Sequence, residues 1–383
     1  MSHTTEDSEL ALFRDNVGRF LDAEILADYA DWDRAGPMPR NVWRRLGEAG
    51  LLCVDMAEEY GGAGADFLFS AAVIEEISRR GMAGLTTGVS VHSDIVAPYI
   101  AHLGTAAQKQ HWLPRMASGE AAGAIAMTEP GAGSDLQGMR SVARRDGDAY
   151  LLSGAKTFIT NGQHADVVIV AAKTDPSAGA RGVTLFLVDT SLPGFSHGKT
   201  LEKLGQHAND TAELFFDEIR LPADAVLGGE NTGFGHLMDE LPRERLILAV
   251  GAVAAADGII EQTREYVTTR KAFGQTLAQF QNTRFRLAEM YTDLELCRAF
   301  VSQCTRQYQA GELDATTGAM AKYAATEMQC RVADGCLQLF GGYGYIREYP
   351  VARAFIDARI QRIYGGTSEI MKELIARKLV GKA

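Results

Sequence analysis

Along the first third of the chain the apolar positions recur in helical steps. Leu10, Phe13, Val17 and Phe20 are spaced by threes and fours, which puts them on one buried helix face. Thr105-Ala106-Ala107-Gln108 has the spacing of a capping box and opens a helix running toward Trp112. Gly36-Pro37, Gly61-Gly62 and Gly119 punctuate these segments. Between about Ala121 and Gly235 the rhythm changes to short β-type runs, clearest at Val167–Val170, Val183–Val188 and Leu214–Phe216. Gly147, Gly154, Gly179, Gly182 and Gly194 sit in the gaps, as the turns of an antiparallel sheet require. No helix-length stretch interrupts the runs, which argues against a parallel βαβ sheet. From Phe234 onward helical patterns return, over Leu237–Thr269, Arg284–Ala310, Asp314–Leu339 and Thr367–Val380, with Gly311 and Gly318 read as breaks.

A chain of 383 residues exceeds what one hydrophobic core usually serves, so two or three domains are expected. Its 46% hydrophobic and 23% charged residues are those of a globular protein. With 38 Lys and Arg against 49 Asp and Glu, the formal charge of -11 argues against a nucleic-acid partner, which wants a basic face. The polar, acidic start, Met1 to Asp7, shows no secretory or transit signal. The apolar run Leu246 to Ala256 ends at Asp257, short of the roughly 18 residues of a membrane span, so none is expected. Five cysteines without a Cys-x-x-Cys pair read as reduced thiols in a cytoplasmic protein. The eight histidines form no ligand-spaced pair, so no metal site is expected.

One stretch stands apart. The strand-like Ala124-Ile125-Ala126-Met127 breaks into Thr128-Glu129-Pro130-Gly131-Ala132-Gly133-Ser134-Asp135. Pro130 and Gly131 form a turn, and Gly131 and Gly133 are free to take positive φ and admit a ligand close to the backbone. No Gly-x-Gly-x-x-Gly lies between a strand and a helix, so a dinucleotide here would not sit on a Rossmann unit.

This stretch resembles the flavin-binding signature of the acyl-CoA dehydrogenase family, and other segments agree in order and separation. Lys156 to Gly162 looks like the family's second flavin strand. Lys203-Leu204-Gly205 with Asp210 to Phe216 resembles the strand pair closing the middle domain. Arg270 to Gly274, Phe280-Gln281, Gln338 to Gly342 and Tyr364 to Thr367 match the C-terminal cofactor segments. The resemblance implies an α+β fold: an N-terminal helical domain over 1–120, a middle antiparallel β-barrel domain over 121–233 and a C-terminal four-helix bundle over 234–383.

It also implies FAD-dependent removal of the α-proton and β-hydrogen of an acyl-CoA thioester. Electrons would pass to an electron-transferring flavoprotein, and the assembly would be a homotetramer. Such chemistry needs a carboxylate base in a dry pocket, where its pKa rises toward the working pH. Many members carry that base between Tyr and Gly of a Tyr-Glu-Gly-Thr motif, where this chain has Gly365. A minority carry it in a Glu-Arg-Leu setting on an earlier helix, and Leu241-Pro242-Arg243-Glu244-Arg245-Leu246 places Glu244 there. The flavin contacts carried over are Ile125, Met127, Thr128, Gly133, Ser134, Phe158, Ile159 and Thr160 on the β segments. Arg270, Phe273, Gln281, Thr367 and Glu369 follow, and a neighbouring subunit would bring Gln338, Gly341 and Gly342. Ser134, Arg245, Gly365 and Gly366 would touch substrate. The closest likeness is to the long-chain type. A branched substrate of isovaleryl or citronellyl kind is the alternative, and a catalytically silent FAD-binding subunit or a monooxygenase would be another class; acidity argues against a DNA-associated member.

Overall fold

A computed structural model describes residues 2–381. The N-terminal third holds α1 (Ser2–Glu24), α2 (Leu26–Ala35), α3 (Asn41–Glu48), α4 (Phe67–Arg79), α5 (Ala83–Val89), α6 (Ala97–Leu103) and α7 (Ala106–Ala117). The predicted stripe on α1 is real: Val17 is buried, Phe13 and Phe20 are half-buried, and Phe13 packs on Phe69 at 5.2 Å between ring centroids. The capping box opens α7 as expected, with the Gln108 amide bonded to Thr105 Oγ1 at 3.2 Å and the Thr105 amide bonded to Gln108 Oε1 at 2.8 Å. Between α5 and α6 the chain keeps turning as a π-helix, Ser90–Val96, a wider coil that leaves backbone carbonyls available to other partners.

The strands are β1 (Gly123–Ala126), β2 (Val142–Asp146), β3 (Ala149–Thr160), β4 (Val167–Lys173), β5 (Val183–Asp189), β6 (Phe195–Thr200), β7 (Thr211–Pro222) and β8 (Val226–Leu227). They form one sheet in the order β6-β7-β3-β2-β4-β5-β8, with β1 on β4. Most pairs are antiparallel, but β1 and β2 both meet β4 in parallel. No helical crossover is needed, because β2 and β3 lie between β1 and β4 in sequence and return the chain to the same direction. In β4, Val167, Ile169 and Ala171 face the helical core while Val168, Val170 and Ala172 face the core of the β domain. Burial on both faces explains why this strand is a continuous apolar run rather than an alternating one.

Three glycine and loop readings are corrected. Gly154 is no turn: it lies inside β3 at a register shift, where an added Cβ would meet Ser141 Oγ at 2.3 Å. Gly318 breaks nothing: it lies inside α10, where an added Cβ would stand 3.3 Å from the Pro242 backbone. Lys203-Leu204-Gly205 is not strand but the connection between β6 and β7.

The last third contains α8 (Gly233–Thr269), a small hairpin of β9 (Lys271–Ala272) and β10 (Gln275–Thr276), then α9 (Gln281–Gln309), α10 (Ala315–Phe340), α11 (Pro350–Ala358) and α12 (Ser368–Val380). The four long helices match the expected bundle. Taken whole, α8 reaches the length and apolarity of a membrane-crossing helix, with a mean hydropathy of 1.5 over its most apolar window. That window is 72% buried inside the fold, so protein already covers its apolar faces.

Candidate active site

Three groups of residues emerge. The first is the turn after β1 and its seat on β3. The Thr157 amide donates to the Thr128 carbonyl at 3.0 Å, and the Thr128 hydroxyl donates back to the Thr157 carbonyl. The two β segments with flavin resemblance are thereby locked together. Beneath them lies a buried ion pair: Lys156 Nζ reaches Glu129 Oε1 at 2.8 Å and the Met127 carbonyl at 3.1 Å. Glu129 accepts further bonds from the amides of Arg140 and Ser141 at 2.6 and 3.0 Å. Both residues lie within the motifs, but local sequence assigns neither a role.

On this platform Phe158 is 69% exposed and held at φ 60, a strained setting for an aromatic residue. Asn161, at φ 62, anchors the same strand end through bonds to the carbonyls of Gly88 and Gly123 at 2.9 and 3.2 Å. Gly131 and Gly133 do not take positive φ, contrary to expectation. Their value is space: a Cβ at either would have no atom within 4 Å. Ile125, Met127, Thr128 and Thr160 are half-buried and Ser134 is exposed on the turn. Ile159 differs, because its side chain is buried in the β-domain core.

The second group joins the end of α8 to the end of α10. Arg270 lies over the ring of Tyr343 at 5.2 Å, and Tyr266 stacks on Phe340 at 4.0 Å. Arg270, Gln281, Gln338, Gly341 and Gly342 are all exposed, and Phe273 is 95% exposed. Among the described residues no hydrogen bond, ion pair or ring contact links Arg270, Phe273, Gln281, Gln338, Gly341 or Gly342 to the turn after β1 or to Phe158. Thr367 caps α12, its hydroxyl accepting from the Ile370 amide at 3.3 Å, and Glu369 is an exposed acid in that helix's first turn.

The third group surrounds Glu244. Its carboxyl is 4% exposed and accepts a hydrogen bond from the Tyr99 hydroxyl at 2.9 Å. Burial pushes its pKa up to about 7, against the opposing pull of the Tyr99 bond and the Arg245 charge. The preceding residue fastens this part of α8. Arg243 Nη2 meets Asp55 at 2.6 Å, Nη1 donates to the Tyr308 hydroxyl at 3.1 Å, and Nε takes the Asp94 carbonyl of the π-helix at 3.0 Å. Arg245 is buried with its Nε unpartnered, and burial lowers its pKa.

Leu248, one turn beyond Glu244, ties the two candidate base positions together. A Cβ on Gly365 would meet Leu248 Cδ1 at 2.5 Å. Gly365 takes φ 62 and Gly366 φ 98, and the Gly366 carbonyl accepts from Lys322 Nζ at 2.7 Å. Lys322 is buried beside Arg245, which holds its pKa down to about 8 together with desolvation, the larger cause. Leu248 and Lys322 thus bring Gly365 and Gly366 against the part of α8 that carries Glu244 and Arg245. Sequence reasoning missed Tyr99, Leu248 and Lys322, which lie in apolar or Ala-rich helix text without any motif.

Comparisons with known proteins agree with this geometry. The acyl-CoA dehydrogenase N-terminal, middle and C-terminal domain models match residues 7–120, 124–219 and 231–380. The mitochondrial long-chain specific acyl-CoA dehydrogenase of Sus scrofa is 50% identical over 375 residues, 97% of this chain and 87% of that protein. The mitochondrial isovaleryl-CoA dehydrogenase of Pongo abelii is 39% identical over 369 residues, 95% of this chain and 87% of that protein. A crystal structure of an acyl-CoA dehydrogenase from Geobacillus kaustophilus superimposes with a TM-score of 0.95 at 47% identity, covering 97% of this chain and 98% of that one. A glutaryl-CoA dehydrogenase from Mycobacterium smegmatis in complex with FADH2 does so with a TM-score of 0.92 at 31% identity, covering 98% and 95%. All three segments of this chain therefore belong to the acyl-CoA dehydrogenase family, whose FAD-dependent oxidation of the CH–CH bond of acyl-CoA thioesters it carries out.

Proposed function

We propose that Glu244 is the base of this dehydrogenase, that its substrates are long-chain acyl-CoA thioesters, and that an electron-transferring flavoprotein takes the electrons. The observation that carries the base is a buried carboxyl with a pKa near 7, one helical turn from the residue that packs against Gly365. A base poised near the working pH is half ionised there and strong enough to take an α-proton.

The residues present fit a bound FAD. Gly131 and Gly133 leave space at the turn, Phe158 offers an exposed ring, and Thr128 and Thr160 stand beside it. Arg270 offers a fork of donors with no carboxylate partner among the described residues, suited to a pyrophosphate. Bound FAD supplies the acceptor for the hydride that leaves the β-carbon. The chain's own work is elsewhere. Glu244 Oε removes the α-proton while the Tyr99 hydroxyl steadies its anion. The Gly365 amide and Ser134 orient the thioester, and the Lys322 bond holds the Gly366 backbone in place. Charge growing on the thioester oxygen is met by fixed donors in a dry site, where such bonds count most.

Chain length is argued from α8. Leu248 Cδ1 fills the place a Cβ on Gly365 would take, and beyond it Gly251 and Ala255 keep the same helix face small. A branched short substrate is the second reading, since Gly365 adds no side chain of its own beside the substrate. Homotetrameric assembly and a cytoplasmic location belong to the proposal as well. The test is anaerobic flavin bleaching across straight and branched acyl-CoAs, with Glu244→Gln as control. That variant should keep FAD and lose flavin reduction by more than about a hundredfold. Near-normal bleaching of Glu244→Gln sinks the base assignment.

A further inference from the structure

With Glu244 as the base, each turnover leaves the α-proton on a carboxyl that is 4% exposed. That proton must reach solvent before the base can work again. The groups closest to the carboxyl do not take it away. Burial first, and then Glu244 itself, raise the Tyr99 pKa well above its usual value, so Tyr99 keeps its hydrogen and steadies the base. Arg245 is a cation with no acceptor atom. Lys322 is buried and spends its Nζ on the Gly366 carbonyl at 2.7 Å.

One turn along both helices, a second bond repeats the first. His102 follows Tyr99 by three positions on α6, and Glu240 precedes Glu244 by four on α8. His102 Nδ1 lies 2.7 Å from Glu240 Oε1, as the Tyr99 hydroxyl lies 2.9 Å from Glu244 Oε1. The two bonds are successive rungs between α6 and α8, and they differ in exposure. Both residues of the inner rung are buried, whereas on the outer rung the Glu240 side chain is 12% exposed and that of His102 50%. Residues four apart on a helix have Cβ atoms about 5–6 Å apart, so one solvent molecule or a turn of the Glu240 side chain spans the two carboxyls. The inner rung feels the Glu240 charge. After burial, the chief cause, it adds to the upward push on the Glu244 pKa, and with Asp239 it does the same at Tyr99. A pair as exposed as His102 and Glu240 adds little stability, but its place on the ladder gives it another use.

Resting on the reading of Glu244 as the base, we propose that Glu240 and His102 form its proton exit to solvent. The O–H bond of protonated Glu244 breaks as one forms on Glu240. Glu240 passes the proton to Nδ1 of His102, an imidazole being a ready proton shuttle, and the half-exposed ring releases it to water. One proton crosses, each group returns to its starting charge and no electrons move. Both residues act through Glu244, as relays rather than catalytic residues.

The holoenzyme tests this with an acyl-CoA whose β-methylene is replaced by sulfur, which can lose an α-proton but has no β-hydrogen to give up. Glu244 then takes the proton, exchanges it with solvent and returns it, so deuterium enters the α-carbon from D2O. Mass spectrometry reads that exchange, and the absorbance of the bound enolate reads proton abstraction separately. At low buffer concentration, His102→Ala and Glu240→Gln should each slow exchange by about tenfold or more while the enolate still forms. Added imidazole should restore exchange in His102→Ala. The control His111→Gln, at an exposed histidine of α7, should exchange as the wild type does. Exchange at the wild-type rate in both His102→Ala and Glu240→Gln overturns the proposal. So does slowed exchange in His102→Ala that imidazole leaves untouched, which a merely structural contact would give. Exchange that persists in Glu244→Gln would instead overturn the base assignment itself.

Discussion

Tyr99 donates its phenolic hydrogen to Oε1 of Glu244 across 2.9 Å, and neither side chain is open to solvent. The bond favours the ionised carboxylate and so restrains a pKa that burial drives up to about 7. Tyr99→Phe removes the donor and leaves the desolvation. The Glu244 pKa should then rise further, moving the acid limb of the kcat/KM profile to higher pH by about one unit. The sign follows from the base being active only when deprotonated: activity is lost as pH falls through that pKa. Stopped-flow flavin reduction from pH 6 to 9 measures the limb. An unmoved limb, or one displaced to lower pH, means Tyr99 does not act on Glu244.

Helix limits, the β runs and the two loop motifs were legible because each is written in local sequence. The capping box at Thr105 and the glycines bracketing α9 and α10 set real boundaries. What local sequence could not carry was the partner across space. Gly154 and Gly318 look like punctuation in the sequence because a glycine needed for close approach is written the same way as one needed for a turn. Tyr99 is 145 residues from Glu244, and nothing near it in the chain announces a catalytic contact. Glu129 and Lys156 were visible as motif letters, but their pairing depends on β3 folding back beneath the turn.

That pair gives a stability prediction. Lys156 is fully buried and Glu129 nearly so. Lys156→Met leaves a buried carboxylate without its cation and should destabilise the protein by about 3–5 kcal/mol, the usual result of removing one partner. Because the pair lies under Thr128, FAD retention should fall as well. Lys156→Met/Glu129→Gln removes both charges and should recover most of the loss. Urea unfolding with and without added FAD measures both effects, and a double variant as unstable as the single would argue that packing, not charge, holds the turn.

Assembly is the third expectation. The group around Phe158 and the group around Arg270 and Tyr343 both suit one cofactor, yet among the described residues no hydrogen bond, ion pair or ring contact joins them. On the homotetramer reading a second copy would bring one to the other, and Phe273, 95% exposed at φ 52, is the kind of side chain such a contact would cover. Light scattering should give a homotetramer. Arg270→Ala should weaken FAD retention by tenfold or more, since a charge-assisted contact to phosphate contributes about 1.5–3 kcal/mol. A stable monomer carrying a full complement of FAD would contradict the assembly.

The last prediction moves the base. Gly365 points its missing Cβ at Leu248, which stands one turn from Glu244, so a carboxylate grown from position 365 enters the space the present base faces. Glu244→Gly/Gly365→Glu should therefore regain measurable dehydrogenation over Glu244→Gly alone. Two observations limit the recovery. Position 365 sits at φ 62, which costs a residue with a Cβ about 1–2 kcal/mol. The new Cβ also lies 2.5 Å from Leu248 Cδ1, the mobile end of a side chain that must turn aside. Misplacement on the order of 1 Å costs about a hundredfold in rate, so partial activity is the expected result. Adding Leu248→Ala relieves the contact and should raise the rate again. The regained activity should favour shorter straight-chain thioesters, because the transplanted side chain adds volume beside Leu248. The measurement is flavin reduction against acyl length for the three variants and the wild type. If the double variant binds FAD and acyl-CoA normally yet is no faster than Glu244→Gly at any length, positions 244 and 365 do not face the same α-carbon, and the base must be sought elsewhere.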